Sequence, residues 1–209
     1  MTAFDLFTIG HSNLPAARFV TLLRANGVDA VADVRSTPGS RFCPWFNAKN
    51  LTALLEREGI AYLPYGEALG GRPRDSTLYC DGVADYEAMA QQPEFAFSLG
   101  GLLLDASRTN GCVCLLCAER DPLDCHRCLL VGRALAKHGQ RIGHILFDGA
   151  TEPHQATEQR LLALDGEAGD LFAAGHDERL AAAYRRRARA VAYRAKAPAQ
   201  AATARRTRQ

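Results

Sequence analysis

Cys112-Val-Cys-Leu-Leu-Cys-Ala-Glu-Arg-Asp-Pro-Leu-Asp-Cys-His-Arg127 carries both the fold and the chemistry in one stretch. Its first six residues are continuously apolar, the pattern of a strand covered on both faces. A polar loop containing Pro122 follows, and Cys125-His-Arg127 opens a helix expected over residues 128–138. The same alternation recurs on either side. Residues 5–10, 28–34, 60–63 and 141–147 read as further strands. Helices are expected at 15–26, with Phe19, Leu22 and Leu23 on one face, at 50–59, with Leu51, Leu54 and Leu55, and at 84–110, interrupted near Pro93. Strands alternating with helices require right-handed crossovers. The fold class is therefore α/β: a single three-layer domain over residues 1–165, with a mainly parallel sheet of about five strands and helices on both faces.

Composition agrees. The chain has 209 residues, 47% hydrophobic and 23% charged, which excludes wholesale disorder. No apolar run has the length of a membrane-spanning helix and no signal peptide is visible, so no membrane partner and a cytoplasmic location are expected. The net charge of +2 conceals an asymmetry. Residues 179–209 hold 10 basic and no acidic side chains, leaving 15 basic against 23 acidic before them, a net of −8. Residues 166–209 are expected to form an Ala/Arg-rich basic tail, partly helical or disordered, with a short helix at 158–164 before it and a basic helix at 181–196 within it. The loop at 66–82 has the length that often carries function.

In open α/β sheets ligands bind beyond the carboxyl ends of the strands. Three segments deliver polar groups to that edge: His11, Ser12 and Asn13 after the first strand, Asp33 and Arg35 at the end of the second, and Cys117 and Glu119 at the end of the fourth. A helix start at Cys125-His126-Arg127 would bind an anion and acidify a nearby thiol, with Arg127 adding a forked donor. Arg41, Phe42 and Trp45 combine a cation with aromatic faces suited to stacking. The seven cysteines are odd in number, and five crowd between 112 and 128, which argues against a disulfide framework. Cys112 and Cys114 read as small buried hydrophobes. His138, His144, His154 and His176 read as ordinary surface or core residues.

Thr8-Ile-Gly-His-Ser12, Asp33-Val-Arg35, Pro38-Gly-Ser-Arg41, Leu69-Gly-Gly71, Ala84-Asp-Tyr86, Leu116-Cys-Ala-Glu119 and Cys125-His-Arg127 occur in this order. Together they resemble the domain-of-unknown-function 488 family over about residues 4–150. The resemblance implies no established activity. Tyr79-Cys-Asp-Gly82 departs from the aromatic-rich segment of that family. A weaker likeness, to rhodanese-type domains, rests on Asp33-Val-Arg35 and the strand-end Cys117; the loop from Cys117 to Arg127 is too long for the short amide cradle of those domains.

Three functions remain open on these residues. The first is an enzyme for an anionic substrate, a nucleotide or nucleic-acid component. Cys117 or Cys125 would be its thiol, His11, His126 and Glu119 its acid/base groups, and Ser12, Asn13, Asp33, Arg35, Arg41 and Arg127 its substrate contacts. The second is a zinc- or iron-binding, hydrolase-like protein with Cys117, Cys125 and His126 as ligands and His11 as a candidate fourth. The third is a non-catalytic nucleic-acid-binding accessory acting through the basic tail. No oligomeric state is indicated.

Overall fold

The computed structural model describes residues 4–109, 112–166 and 175–195. Its centre is one sheet. The strands β1 (Leu6–Gly10), β2 (Val28–Asp33), β3 (Ala61–Pro64), β6 (Cys112–Cys117) and β7 (Ile142–Ile145) run parallel. A sixth, β8 (Thr151–Pro153), pairs antiparallel with β7. The order is β3-β2-β6-β1-β7-β8, so β6 lies between β1 and β2. The reading of about five mainly parallel strands holds, and β8 is the addition. It arises because the tight turn at Gly149, with φ of +103°, sends the chain back along β7.

Side chains alternate across each strand and so supply two cores. On one face Phe7, Ile9, Val31, Cys112, Cys114 and Leu116 pack under α1 (Ala16–Ala25) and α2 (Ala48–Arg57). Cys112 and Cys114 are buried there among apolar side chains, as their alternation predicts. On the other face Leu6, Ala30, Ala32, Val113, Leu115 and Cys117 pack under the remaining helices.

The expected helix over 84–110 divides into α4 (Tyr86–Ala90) and α5 (Pro93–Arg108). Asp85 caps the first by accepting from the amides of Glu87 and Ala88, and Pro93 starts the second. The polar loop at 66–82 contains the one-turn helix α3 (Gly66–Leu69) and β4 (Tyr79–Cys80), which forms a small hairpin with β5 (Val83–Ala84). The helix expected at 128–138 begins as a π-helical segment, Arg127–Gly132, and continues as α6 (Arg133–Lys137). The short helix expected at 158–164 is longer, α7 (His154–Asp165).

Of the expected basic tail, α8 (His176–Val191) and the residues to 195 pack on the body, with Ala183, Tyr184 and Ala192 in the second core. Its arginines meet acidic residues of the body: Arg185 with Glu87, Arg186 with Asp165, Arg187 with Asp124 and Arg189 with Asp81. The backbone of 193–195 then bonds along the hairpin, Ala84 N–H to the Tyr193 carbonyl at 2.9 Å and Ala195 N–H to that of Gly82 at 2.8 Å. Much of the charge asymmetry of the sequence is thus opposed within the molecule, and these four guanidiniums are committed to the body. Residues 196–209 lie outside the described residues. No helix among the described residues is long and apolar enough to cross a membrane.

Candidate metal and substrate site

The register of the central strands aligns the site. Gly10 of β1 lies opposite Cys117 of β6, and Asp33 of β2 opposite Leu116. Beyond that edge the first loop stays tied to the β6 strand end, with His11 N–H donating to the Cys117 carbonyl at 2.9 Å and Ser12 N–H to that of Ala118 at 2.8 Å. The chain after Cys117 makes a compact loop. Asp121 caps the 3-10 turn Pro122–Asp124 through the Leu123 amide and is itself held by Arg160. That turn returns Cys125 and His126 to the strand end they left.

Four donor atoms meet there. Cys117 Sγ is 2.9 Å from Glu119 Oε2 and 3.6 Å from His126 Nδ1. Cys125 Sγ is 3.0 Å from the same carboxylate oxygen and 3.9 Å from the same nitrogen. His126 Nε2–H donates to the Val34 carbonyl at 2.9 Å, which turns Nδ1 toward both sulfurs. Gly71 makes room for the ring, since a Cβ at that position would stand 2.8 Å from His126 Cγ. This gives a packing reason for the Leu69-Gly-Gly71 pattern.

The electrostatics are uneven. Burial raises the Cys117 thiol well above its ordinary range, and the neighbouring Cys125 and Glu119 reinforce it. Cys125 goes the other way: burial is outweighed by hydrogen bonding from Cys117 and by the charges of Arg127 and His126. Burial also raises the carboxyl of Glu119, and the Cys125 sulfur adds to the effect. Against its own burial, His126 is raised by that sulfur. The arrangement favours a thiolate at Cys125 and a thiol at Cys117.

Arg127, expected as an anion contact, is wholly buried behind this cluster. Its guanidinium donates to the carbonyls of Glu119 at 2.6 Å and Arg120 at 3.1 Å, and its backbone amide faces Cys125 Sγ at 3.4 Å. It holds the loop rather than a ligand. Gly10 belongs to the same support, because a Cβ there would fall 1.7 Å from the Glu119 carbonyl oxygen.

A second set adjoins the first. Arg35 grips Asp33 with two bonds, Nε to Oδ1 at 2.8 Å and Nη2 to Oδ2 at 2.5 Å, and Tyr62 donates to Oδ2 at 2.9 Å. Both charged residues are buried. His11 donates from Nδ1 to the Ser12 carbonyl and accepts from Arg35 at Nε2, stacked on Phe46 with ring centres 4.2 Å apart. Burial, then the Arg35 charge, lowers its pKa from 6.5 to about 4. His11 is therefore neutral at physiological pH and does not join the donor cluster; Glu119 does.

This depression has a measurable consequence. Above pH 6.5 His11 is neutral folded or unfolded, and its contribution to stability is complete. As pH falls from 6.5 to about 4 only the unfolded chain takes up the proton, so stability is lost across that window. At 1.36 kcal/mol per pKa unit the loss is about 3 kcal/mol. Urea titrations from pH 7 to 4 should show it, and His11→Gln should flatten the slope; an unchanged slope would remove the assignment.

A cavity of about 790 Å³ opens over the cluster. Cys117, Glu119 and His126 line its base, while Cys125 lies behind them. Its walls include His11, Ser12, Asn13 and Arg35, together with Ser36, Thr37, Ser40, Arg72 and Tyr193. Asp33 reaches it only through Arg35, and Arg41 is outside its lining. Phe42, 87% exposed, stands at the rim. Tyr193 carries Arg72 over its ring at 4.8 Å. Neither Tyr193 nor Arg72 stood out in the sequence; the first lies in the segment just after α8 and the second in the glycine-containing loop.

A family model described as a domain of unknown function, DUF488, matches residues 15–134. The chain belongs to the DUF488 family. The matched span holds all four residues of the donor cluster, whereas His11 and Tyr193 lie outside it. No curated protein and no solved structure matches the chain. Membership in DUF488 therefore brings no named chemistry, and function has to be argued from the site.

Proposed function

We propose that this DUF488 protein is a metal-dependent enzyme. Cys117, Cys125 and His126 hold a zinc or ferrous ion, and the substrate is anionic. The carrying observation is the clustering of one donor atom each from these residues and Glu119 within 4.8 Å of one another. Donors sharing one tetrahedral zinc at 2.0–2.3 Å stand roughly 3.3–3.8 Å apart, close to the sulfur–nitrogen separations of 3.6 and 3.9 Å. Two sulfurs and an imidazole match zinc best. The Nδ1 of His126, turned to the two sulfurs by the Val34 carbonyl on Nε2, would exchange its proton for the ion, the arrangement that a ligand histidine needs.

A bare thiol nucleophile fits less well. The sulfur that faces the cavity belongs to Cys117, whose burial disfavours the thiolate, while the acidified Cys125 sits behind it. A cation between them would make both thiolates and turn a buried pair into a working centre. Bound water at an open position would then be activated, with Glu119 as its proton acceptor. The hydroxyls of Ser12, Ser36, Thr37 and Ser40 and the Arg72 guanidinium favour an anionic group, and the ring faces of Phe42 and Tyr193 favour a flat one beside it. A nucleotide has both.

The test is metal analysis of the purified chain together with a screen of nucleotides for metal-dependent hydrolysis. About one metal per chain at this cluster is expected, with turnover removed by chelation and restored by zinc or iron. Glu119→Gln should keep the metal and lower kcat by about 10²–10⁴-fold, the usual weight of a proton acceptor. Metal-free protein that resists reconstitution, or full turnover in Glu119→Gln, would overturn the reading.

A further inference from the structure

Beside the second core, and sharing Cys128 with it, lies a cluster that the proposed site does not use. His144 is on β7, His154 begins α7 and Cys128 is in the π-helical segment, so three separate elements bring them together. One donor atom of each lies within 4.8 Å of the others, and all three residues are buried. His144 Nε2 and His154 Nδ1 face each other at 3.0 Å.

The outer nitrogens are equally committed. His144 Nδ1 is 2.7 Å from Thr8 Oγ1. His154 Nε2 lies 3.1 Å from the Tyr184 hydroxyl, which donates to Glu158 Oε1 at 2.9 Å. Each imidazole thus has one nitrogen held by a hydroxyl and the other turned inward toward its partner and a thiol. Ligand histidines are held in this way by second partners that fix ring orientation. The inward nitrogens are slightly closer than the roughly 3.3 Å expected of two imidazoles sharing one zinc, so a small opening accommodates an ion. A π-helical turn is a recurrent feature of functional sites. Here it carries Cys128 one turn beyond Cys125, so the two clusters draw on different sulfurs.

We infer that Cys128, His144 and His154 form a second, structural zinc site, distinct from the cluster beneath the substrate cavity. Zinc is favoured by one thiolate and two imidazoles in a buried setting. A cavity of about 840 Å³, lined by His154, Glu158 and Tyr184 among others, abuts the cluster at His154, on the side of the molecule where α6 ends and β7 begins. Binding would tie α7 and the π-helical segment to the sheet. It requires loss of the Cys128 thiol proton to solvent and no other co-reactant.

The test compares metal content after zinc reconstitution and dialysis in the full chain and in Cys128→Ser. The variant should hold one equivalent fewer, whether or not the first centre is filled. Cobalt reconstitution of the Cys117→Ser/Cys125→Ser chain gives a second readout, a sulfur-to-cobalt absorption band that disappears on adding His154→Gln. Equal zinc content in the full chain and Cys128→Ser would overturn the inference, leaving Thr8, His144, His154, Tyr184 and Glu158 as a hydrogen-bonded chain only. So would cobalt-binding chain without that band. Should the serine variants fail to fold, a His154→Gln chain holding as much zinc as the parent chain would overturn it equally.

Discussion

Replacing Cys117 and Cys125 together by serine is expected to empty the proposed catalytic centre and abolish turnover. Serine keeps the size of each side chain but offers a poor ligand for zinc, so the change removes the metal with little alteration of packing. The metal content should fall by one equivalent relative to the parent chain. Loss of metal-bound water and of charge stabilisation at the substrate is worth several kcal/mol, on the order of 10³-fold in rate. Each single serine variant should show most of this effect, because the remaining sulfur cannot hold the ion with His126 alone. Cys117 and Cys125 belong to one of the two cores, but serine differs little from cysteine in volume and the apolar residues around them are untouched, so the circular dichroism spectrum should be retained. Unchanged metal content in the folded double variant would refute the assignment of these sulfurs as ligands. Unchanged turnover with the metal gone would refute the catalytic role while leaving a structural one.

Asp33→Ala is expected to cause the largest loss of stability at the site. Asp33 and Arg35 are both buried, and their two-bond pair is the only carboxylate partner the described residues give to that guanidinium. Removing the carboxylate strands a buried positive charge, which typically costs about 3–5 kcal/mol. Tyr62 loses its acceptor as well, which adds to the loss. Urea denaturation at pH 7 measures it directly. A companion change in which Arg35 is also replaced by methionine should recover much of the lost stability, because the charge is then gone. A loss below about 1 kcal/mol in Asp33→Ala would mean that water or another group compensates Arg35. The pair also steadies His11 through Arg35 Nη1, so the pH slope between 6.5 and 4 should change in the same variant.

The strands and their faces were legible from local pattern. A parallel strand covered on both sides must be apolar throughout, and 112–117 and 5–10 have that character in the bare sequence. Alternation sends Cys112 and Cys114 to one core and Cys117 to the other, and this too is local. The rule that ligands gather beyond strand carboxyl ends then brings His11, Arg35, Cys117 and Glu119 to one edge without any knowledge of strand order.

What that rule could not supply is which of these groups touch. Glu119 rather than His11 meets the two sulfurs because the 3-10 turn at Pro122–Asp124 folds the loop back, a consequence of capping and of the ion pair with Arg160. Arg127 has the character of an anion ligand in sequence, yet the π-helical start of its helix rotates it beneath the loop, where two carbonyls take its donors. His144 and His154 gave no periodic signal, since a buried imidazole is recognisable only by partners that lie far away in the chain. The same holds for α8: its arginines read as a free basic tail until the acidic residues opposite them are seen. Sequence by itself determined the layered α/β fold and the edge at which the site lies, because hydrophobic period and strand polarity are encoded within a few residues. Only the tertiary structure decided the composition of the donor clusters and the destination of the basic helix, because short-range pattern carries no information about which charges and lone pairs end up 3 Å apart.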